Sequence, residues 1–239
     1  MDGALRPATL GLLALAGAAA LWAGPAAARE ERVVAIGSVE LTVALADGDC
    51  FFDPEQPADR ALMDQLEVAT GPAFVPLLAF GACDRIAGWR TGDPPALRRF
   101  GYVMIAETHL EPVFGFDQPA LADAIAQALA DQGVADYRAD IARLAADLEA
   151  AWTAVPPGGK RDLGVVHRDR YGPVQAAVLS VAGPDGRAFP RVMLHQSVLL
   201  HGKVLSVVAL RDYRDQESIF EAYGDLSAVV EATAARNAK

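Results

Sequence analysis

The last third of the chain consists of apolar-rich segments separated by turn residues. These segments cover residues 163–169, 174–182, 187–200 and 203–211. The tripeptide 184–186 and the dipeptide His201-Gly202 lie between the last three, and glycine accepts the positive φ that a tight turn requires. The pattern therefore predicts four antiparallel strands connected as a meander.

A second set of strand signals lies nearer the start of the chain. Residues 32–45 alternate between apolar and polar positions on both sides of Gly37-Ser38. The apolar positions are Val34, Ile36, Val39, Leu41, Val43 and Leu45. This alternation predicts a β-hairpin with its turn at 37–38. Short apolar runs at 74–80 and 100–110 predict two further strands.

Other segments carry apolar residues at the three- and four-residue spacing of an amphipathic helix. They cover 57–70, 118–132, 136–155 and the residues from Gln216 onward. Asp117 followed by Pro119 marks the start of the second of these helices, because both residues favour a helix N-terminus. The second and third predicted helices form a central αα-hairpin packed on the sheet. The predicted fold class is therefore α+β, with a mostly antiparallel sheet built from the N-terminal hairpin and the C-terminal meander and packed by amphipathic helices.

Residues 1–28 have the pattern of a cleavable signal peptide. Arg6 precedes about fourteen residues without an ionisable side chain, and alanines at 26–28 precede a polar segment. The apolar run is shorter than the roughly 20 residues that span a membrane. We therefore expect export by the general secretory route to the periplasm or the extracellular space, a single domain over 29–239, and no stable membrane anchor after cleavage. An uncleaved anchor is the alternative.

The chain is acidic, with 31 Asp and Glu against 21 Lys and Arg and a formal net charge of −10. This charge repels phosphate backbones, so nucleic acid is not an expected partner. The sequence contains no phosphate-binding loop, dinucleotide fingerprint or EF-hand loop, and no cofactor is predicted.

The chain has two cysteines, Cys50 and Cys83. In an exported protein an even number of cysteines favours a disulfide, because the compartment is oxidising. The predicted bond connects the end of the first hairpin to the end of the strand at 74–80. Two buried free thiols are the alternative.

One candidate catalytic group lies in the last two predicted strands. A two-residue turn at His201-Gly202 places Ser197 opposite Ser206 and puts His195 on the same face. A serine beside a histidine base is the arrangement from which acyl transfer begins. No Gly-x-Ser-x-Gly motif occurs, and this face offers no carboxylate to orient the imidazole. We favour the alternative, a half-exposed sheet face that happens to carry these polar residues.

One candidate metal site lies at the end of the strand predicted at 100–110. Strand alternation places Glu107, His109 and Glu111 on one side, and two carboxylates with an imidazole are suitable ligands for a divalent ion. One segment rarely supplies three ligands with good geometry. The favoured alternative is a polar strand end, so no metal is predicted.

Three segments together resemble a known group of proteins. They are the alternating residues 39–45, the late meander, and residues 203–210 followed by an amphipathic helix from Gln216. The pattern resembles the α/β/α sandwich of the Mog1/PsbP-like group. It is more similar still to uncharacterised exported bacterial proteins that begin with a signal peptide and a short Cys-containing hairpin. The resemblance implies an accessory or binding module without shared catalytic residues.

Two hypotheses about function follow. The first is an exported, non-enzymatic accessory or binding domain of the cell envelope, which contacts an envelope protein or a small ligand through a groove between the meander and the αα-hairpin. The second is an enzyme. It is either a hydrolase using His195 with Ser197 or Ser206, or a metal-dependent enzyme using the side chains at 107, 109 and 111. The missing catalytic motifs favour the first hypothesis.

Overall fold

The fold is α+β, as the hydrophobic pattern predicts, with a mostly antiparallel sheet. A computed structural model describes residues 29–92, 97–137, 143–144, 146–148, 150, 155–156, 158–182 and 188–238. The predicted signal peptide, residues 1–28, lies outside the described residues.

The strands form a hairpin and one large sheet. The strands are β1 (Glu31–Ile36), β2 (Val39–Ala44), β3 (Asp49–Phe51), β4 (Phe74–Ala82), β5 (Arg99–Ala106), β6 (Lys160–Asp169), β7 (Gly172–Ala182), β8 (Ala188–Leu200) and β9 (Lys203–Asp212). β1 and β2 pair as a separate two-stranded sheet, and the other seven strands have the order β3-β4-β5-β9-β8-β7-β6. Every neighbouring pair in the large sheet is antiparallel.

The described helices pack on both faces of this sheet. They are α1 (Pro57–Thr70), α2 (Cys83–Arg90), α3 (Gln118–Asp131) and α4 (Glu217–Arg236). The boundaries of α1 match the prediction, and Asp117 caps α3 by accepting a hydrogen bond from the backbone N–H of Ala120.

The first face of the large sheet is closed. We define it as the side to which Val192, Leu194 and Val198 of β8 point, and it is covered by the β1–β2 hairpin and by α4. Leu226 and Val230 of α4 are completely buried against it. Each such side chain contributes roughly 1.5–3 kcal/mol when it is removed from water, so this layer supplies most of the apolar burial.

α4 also satisfies the free edge of the hairpin. The Asn237 side chain, just after α4, accepts from the Thr42 N–H at 3.1 Å and donates to the Thr42 carbonyl at 2.7 Å. Thr233 makes the same pair of bonds with the backbone of Ala44, at 3.1 and 3.2 Å. These two side chains take the place of a third strand, so the edge of β2 has no unpaired backbone groups at these positions.

A buried ammonium group holds the segment that follows β5. Lys203 is completely buried, and its Nζ donates to the carbonyls of Leu110, Glu111 and Pro112 at 2.6, 3.1 and 3.0 Å. Three donors meet three acceptors, which offsets much of the cost of removing the charge from water. The chain therefore passes around the end of the sheet at a fixed position before α3 begins.

At the end of the sheet opposite Lys203, charged side chains connect the strands to α4. Arg99 bonds both Asp49 and Asp225 at 2.8 Å, and Arg211 bonds Asp225 at 2.8 Å and Glu221 at 3.0 Å. Burial raises the pKa of Asp49, and the nearby Arg99 guanidinium opposes that shift. Strands β3, β5 and β9 are thereby tied to one helix.

The second face of the sheet is covered only in part. It carries Arg191, Met193 and His195 of β8, the residues between those that point to the first face. α1 and α2 pack against its β3–β4 side, while α3 packs against β7 and β8. The strands between these helices form the floor of an open groove.

The predicted disulfide is present. Cys50 of β3 is bonded to Cys83, the first residue of α2, across a sequence separation of 33 residues. The bond therefore connects the short edge strand β3 to α2. In the sequence, α1 and β4 lie between the two cysteines.

Several elements differ from the predictions. Two elements are not predicted by the hydrophobic pattern: β3, which pairs with β4 as a short strand, and the helix α2. The strand predicted at 100–110 ends at Ala106 and is followed by a 3₁₀ turn over Glu107–His109. The helix predicted at 136–155 is described only in part: Asp136 forms a parallel bridge with Val165, and two later residues, Leu144 and Leu148, are buried in the first-face core.

No helix within the ranges that the structure describes is both long enough and apolar enough to cross a bilayer.

Removal of the disulfide is expected to lower the free energy of unfolding by about 3.5–4 kcal/mol, because the bond restricts the unfolded chain. Urea denaturation of a Cys50→Ser, Cys83→Ser double variant measures this loss. The wild-type chain in reductant is the matched control and is expected to unfold at the same urea concentration as the variant. A loss below 1 kcal/mol would contradict the prediction.

Candidate functional site

The candidate site is a groove of about 1120 Å³ on the second face of the sheet. Its floor is formed by β5, β9, β8 and β7, and its walls by α1 and by residues 132–135 after α3. The apolar lining includes Leu62, Leu66, Phe100, Tyr102, Met104 and Met193. Pockets for small molecules usually measure about 300–1,000 Å³ and are lined mainly by apolar and aromatic side chains. The groove is of this kind, with a volume slightly above the usual range.

Two uncharged polar side chains lie next to each other on the floor. His195 of β8 pairs directly with Gln175 of β7, so both side chains project from the same face. Nε2 of His195 is shielded from solvent and has no hydrogen-bond partner. Neither side chain is hydrogen-bonded to another residue in the described part of the chain. Leaving a buried polar atom unpaired costs about 1–3 kcal/mol. Nε2 of His195 is therefore a position on the floor where a hydrogen bond is missing.

The environment of His195 keeps its ring neutral. Burial is the main cause, with the nearby positive charge of Lys160 as a second, and together they lower the pKa of His195 to about 4. Burial also raises the pKa of Tyr102, which lies on the same floor. Both shifts have the direction expected where water is excluded. The groove therefore offers neutral donors and acceptors at physiological pH.

The charged residues of the groove are already paired. Lys160 Nζ lies 2.9 Å from an oxygen of Asp162 at the β6 side. Arg191 Nη2 bonds Asp212 at 2.8 Å and the Leu97 carbonyl at 3.0 Å. A charged ligand would have to replace one of these partners.

The candidate catalytic residues lie on one sheet face without a hydrogen bond between the histidine and a serine. The predicted register is confirmed, since Ser197 pairs with Ser206 and His195 with Val208. Among the described residues, however, no hydrogen bond joins His195 to either serine, and neither serine lines the groove. Only His195 belongs to the candidate site, and it lies there without a nucleophile bonded to its ring.

The candidate metal ligands do not share a strand face. Glu107 and His109 lie in the 3₁₀ turn and Glu111 in the loop that follows, because β5 ends at Ala106, opposite the first residue of β4. The His109 ring contacts Phe114 edge-on, with centroids 4.9 Å apart. In the described ranges no three His, Cys, Asp or Glu side chains are grouped closely enough to hold a metal ion.

Sequence reasoning missed Gln175, Tyr102 and the contribution of α1 to the groove. The pairing of Gln175 with His195 depends on the register of β7 against β8, which the sequence between the two strands does not determine. Tyr102 reaches the floor because β5 pairs with β9, a contact between strands about 100 residues apart. No local signal reveals such a pairing.

The imidazole of His195 is expected to titrate near pH 4, well below the ordinary value of 6.5. Below pH 6.5 the unfolded chain binds a proton that the folded chain refuses, so the free energy of unfolding falls between pH 6.5 and 4, by at most about 3 kcal/mol. NMR titration of the histidine ring protons, assigned with a His195→Gln variant, measures the pKa. That variant should lose part of the acid sensitivity. A midpoint near 6.5 in the wild-type chain would contradict the prediction.

Comparison with known proteins does not indicate a function, so the groove is the basis for the proposed one. The chain matches no family model, no curated protein and no solved structure at a significant level. The resemblance to the Mog1/PsbP-like group therefore stays a prediction from the sequence pattern.

Proposed function

We propose that this chain is an exported binding domain that holds a small, largely apolar ligand in the groove on the second sheet face. The observation that carries the proposal is the groove itself, about 1120 Å³ of space over a mostly apolar lining. Closing such a surface against water releases roughly 25 cal/mol for each Å² of apolar area, which is the usual source of affinity for ligands of this type.

The shape of the groove supports a ligand of limited size. α1 forms one wall through Leu62, Leu66 and Ala69, and the segment after α3 forms the other. Both walls rest on the sheet: α1 packs on β4, and the segment after α3 bonds β6, where the Val165 N–H donates to the Ala135 carbonyl at 2.8 Å and the Tyr137 N–H donates to the Val165 carbonyl at 2.7 Å. The walls are therefore preorganised, which lowers the entropic cost of binding.

The disulfide and the leader sequence support export as part of the proposal. A bond between Cys50 and Cys83 is maintained in oxidising compartments and is rare in the cytosol. The apolar segment within 1–28 has the length of a signal-peptide core. In this proposal, the mature domain begins at Arg29 and acts in the periplasm or outside the cell as a non-enzymatic accessory protein.

Filling the groove is expected to abolish binding of an apolar probe. Ala69 is exposed on α1 and lines the groove, whereas its neighbour Val68 is 85% exposed and does not line it. Nile red, a neutral apolar dye, should bind the wild-type domain with increased fluorescence. An Ala69→Trp variant should lose at least about fivefold in affinity, which is roughly 1 kcal/mol.

The matched control is Val68→Trp, which adds the same side chain one position along the helix. It is expected to bind Nile red like the wild-type chain. Failure of the wild-type domain to bind the dye, or equal losses in both variants, would contradict the assignment of the groove as the binding site.

The export proposal is tested by the mass of the chain made in a bacterial host with a secretory pathway. We expect the periplasmic or extracellular fraction to contain a chain that starts at Arg29 and carries the Cys50–Cys83 bond, two hydrogens lighter than the reduced form. A variant that lacks residues 2–28 should remain in the cytosol with both thiols free. A full-length, reduced wild-type chain in the cytosol would contradict export.

A further inference from the structure

The groove also indicates what kind of ligand it selects, an inference that depends on the proposed function. We propose that the ligand carries an uncharged hydrogen-bonding group, such as an alcohol hydroxyl, on an apolar body, and that the pair His195 and Gln175 receives this group. The pair includes Nε2 of His195, the one fully buried side-chain polar atom among the described lining residues that has no hydrogen-bond partner.

The hydrogen-bonding capacity of the pair fits a hydroxyl group. A neutral imidazole has one donor and one acceptor nitrogen, and an amide side chain has two donors and an acceptor oxygen. A hydroxyl both donates and accepts, so it can bond either tautomer of the ring and either end of the amide. Contact with the ligand would remove the cost of leaving the imidazole nitrogen unpaired.

A carboxylate is a poorer match for the same position. The cations nearest the groove are Lys160, which is bonded to Asp162, and Arg191, which is bonded to Asp212. Asp162 itself lines the groove and would repel an anion. An ionised headgroup would lose its water without gaining a positive charge that is not already balanced by a carboxylate, which disfavours its binding.

A cationic headgroup is also disfavoured. The carboxylate nearest the floor, Asp162, is engaged by Lys160 at 2.9 Å. The aromatic side chains of the lining are Phe74, Phe100 and Tyr102, and Phe100 already lies under the Arg191 guanidinium at 5.6 Å from its centroid. The groove thus selects by shape and by neutral hydrogen bonds.

The experiment is displacement of Nile red from the oxidised mature domain at pH 7 by three probes of equal chain length: 1-decanol, decanoate and 1-chlorodecane. The wild-type domain is expected to bind 1-decanol at least about tenfold more tightly than decanoate and about fivefold more tightly than 1-chlorodecane. His195→Leu should remove most of the preference for 1-decanol over 1-chlorodecane while changing the affinity for 1-chlorodecane by less than about twofold.

Two further variants complete the test. Gln175→Leu should reduce the same preference, and it serves in place of His195→Leu if that protein does not fold. Ser197→Ala is the control, because Ser197 lies two residues from His195 on the same strand face but does not line the groove. It should keep the full preference.

The outcomes separate this inference from the proposed function. If Nile red binds but decanoate competes as well as 1-decanol, or if neither leucine variant changes the preference, the headgroup assignment is wrong and the groove assignment stands. If the wild-type domain binds neither Nile red nor any of the three probes, the proposed function fails, and the headgroup assignment fails with it.

Discussion

The organisation of this domain depends on the unequal covering of the two faces of one antiparallel sheet. The first face is closed by α4 and the β1–β2 hairpin, which bury a continuous apolar core. Antiparallel sheets can leave one face partly solvated because a single well-packed face supplies enough apolar burial to stabilise them. The second face is therefore available for a different use, and its strands are held in place by the layer behind it.

The position of the groove follows from how the second face is covered. α1 and α2 lie over the β3–β4 side, where the disulfide ties the start of α2 to β3. α3 lies over β7 and β8, where Gln118 bonds the Leu199 N–H of β8 and the Tyr171 carbonyl just before β7. Neither group reaches the middle of the sheet. The bonds that Lys203 makes at the end of the sheet fix the path of the chain into α3. The wall formed by residues 132–135, after α3, therefore stands apart from the wall formed by α1.

The sequence predicts the elements of this fold better than it predicts the site. Local periodicity identifies α1 to the residue, and the two-residue turn at His201-Gly202 gives the register of β8 and β9 correctly, because His201 and Gly202 both adopt positive φ. The 3₁₀ turn after Ala106 is missed, because its residues fit the polar alternation of a strand end, whereas β5 stops where its partner β4 begins, at the Phe74–Ala106 pair. The groove is missed for the same reason: its walls come from segments more than 60 residues apart, and only the assembled sheet brings them together.

The distribution of charge explains why a neutral binding surface can exist in so acidic a chain. Arg99 and Arg211 are used at one end of the sheet to hold Asp49, Asp225 and Glu221 against α4, on the first face. Arg191 is held by Asp212, so the guanidinium nearest the groove is neutralised before a ligand arrives. The floor then retains His195 and Gln175 as neighbouring polar side chains without a hydrogen-bond partner among the described residues. The low dielectric around them keeps the imidazole neutral and makes each hydrogen bond stronger than it would be in water. A hydrogen bond of this kind adds discrimination to affinity, since a ligand without the matching group would leave the same buried nitrogen unpaired.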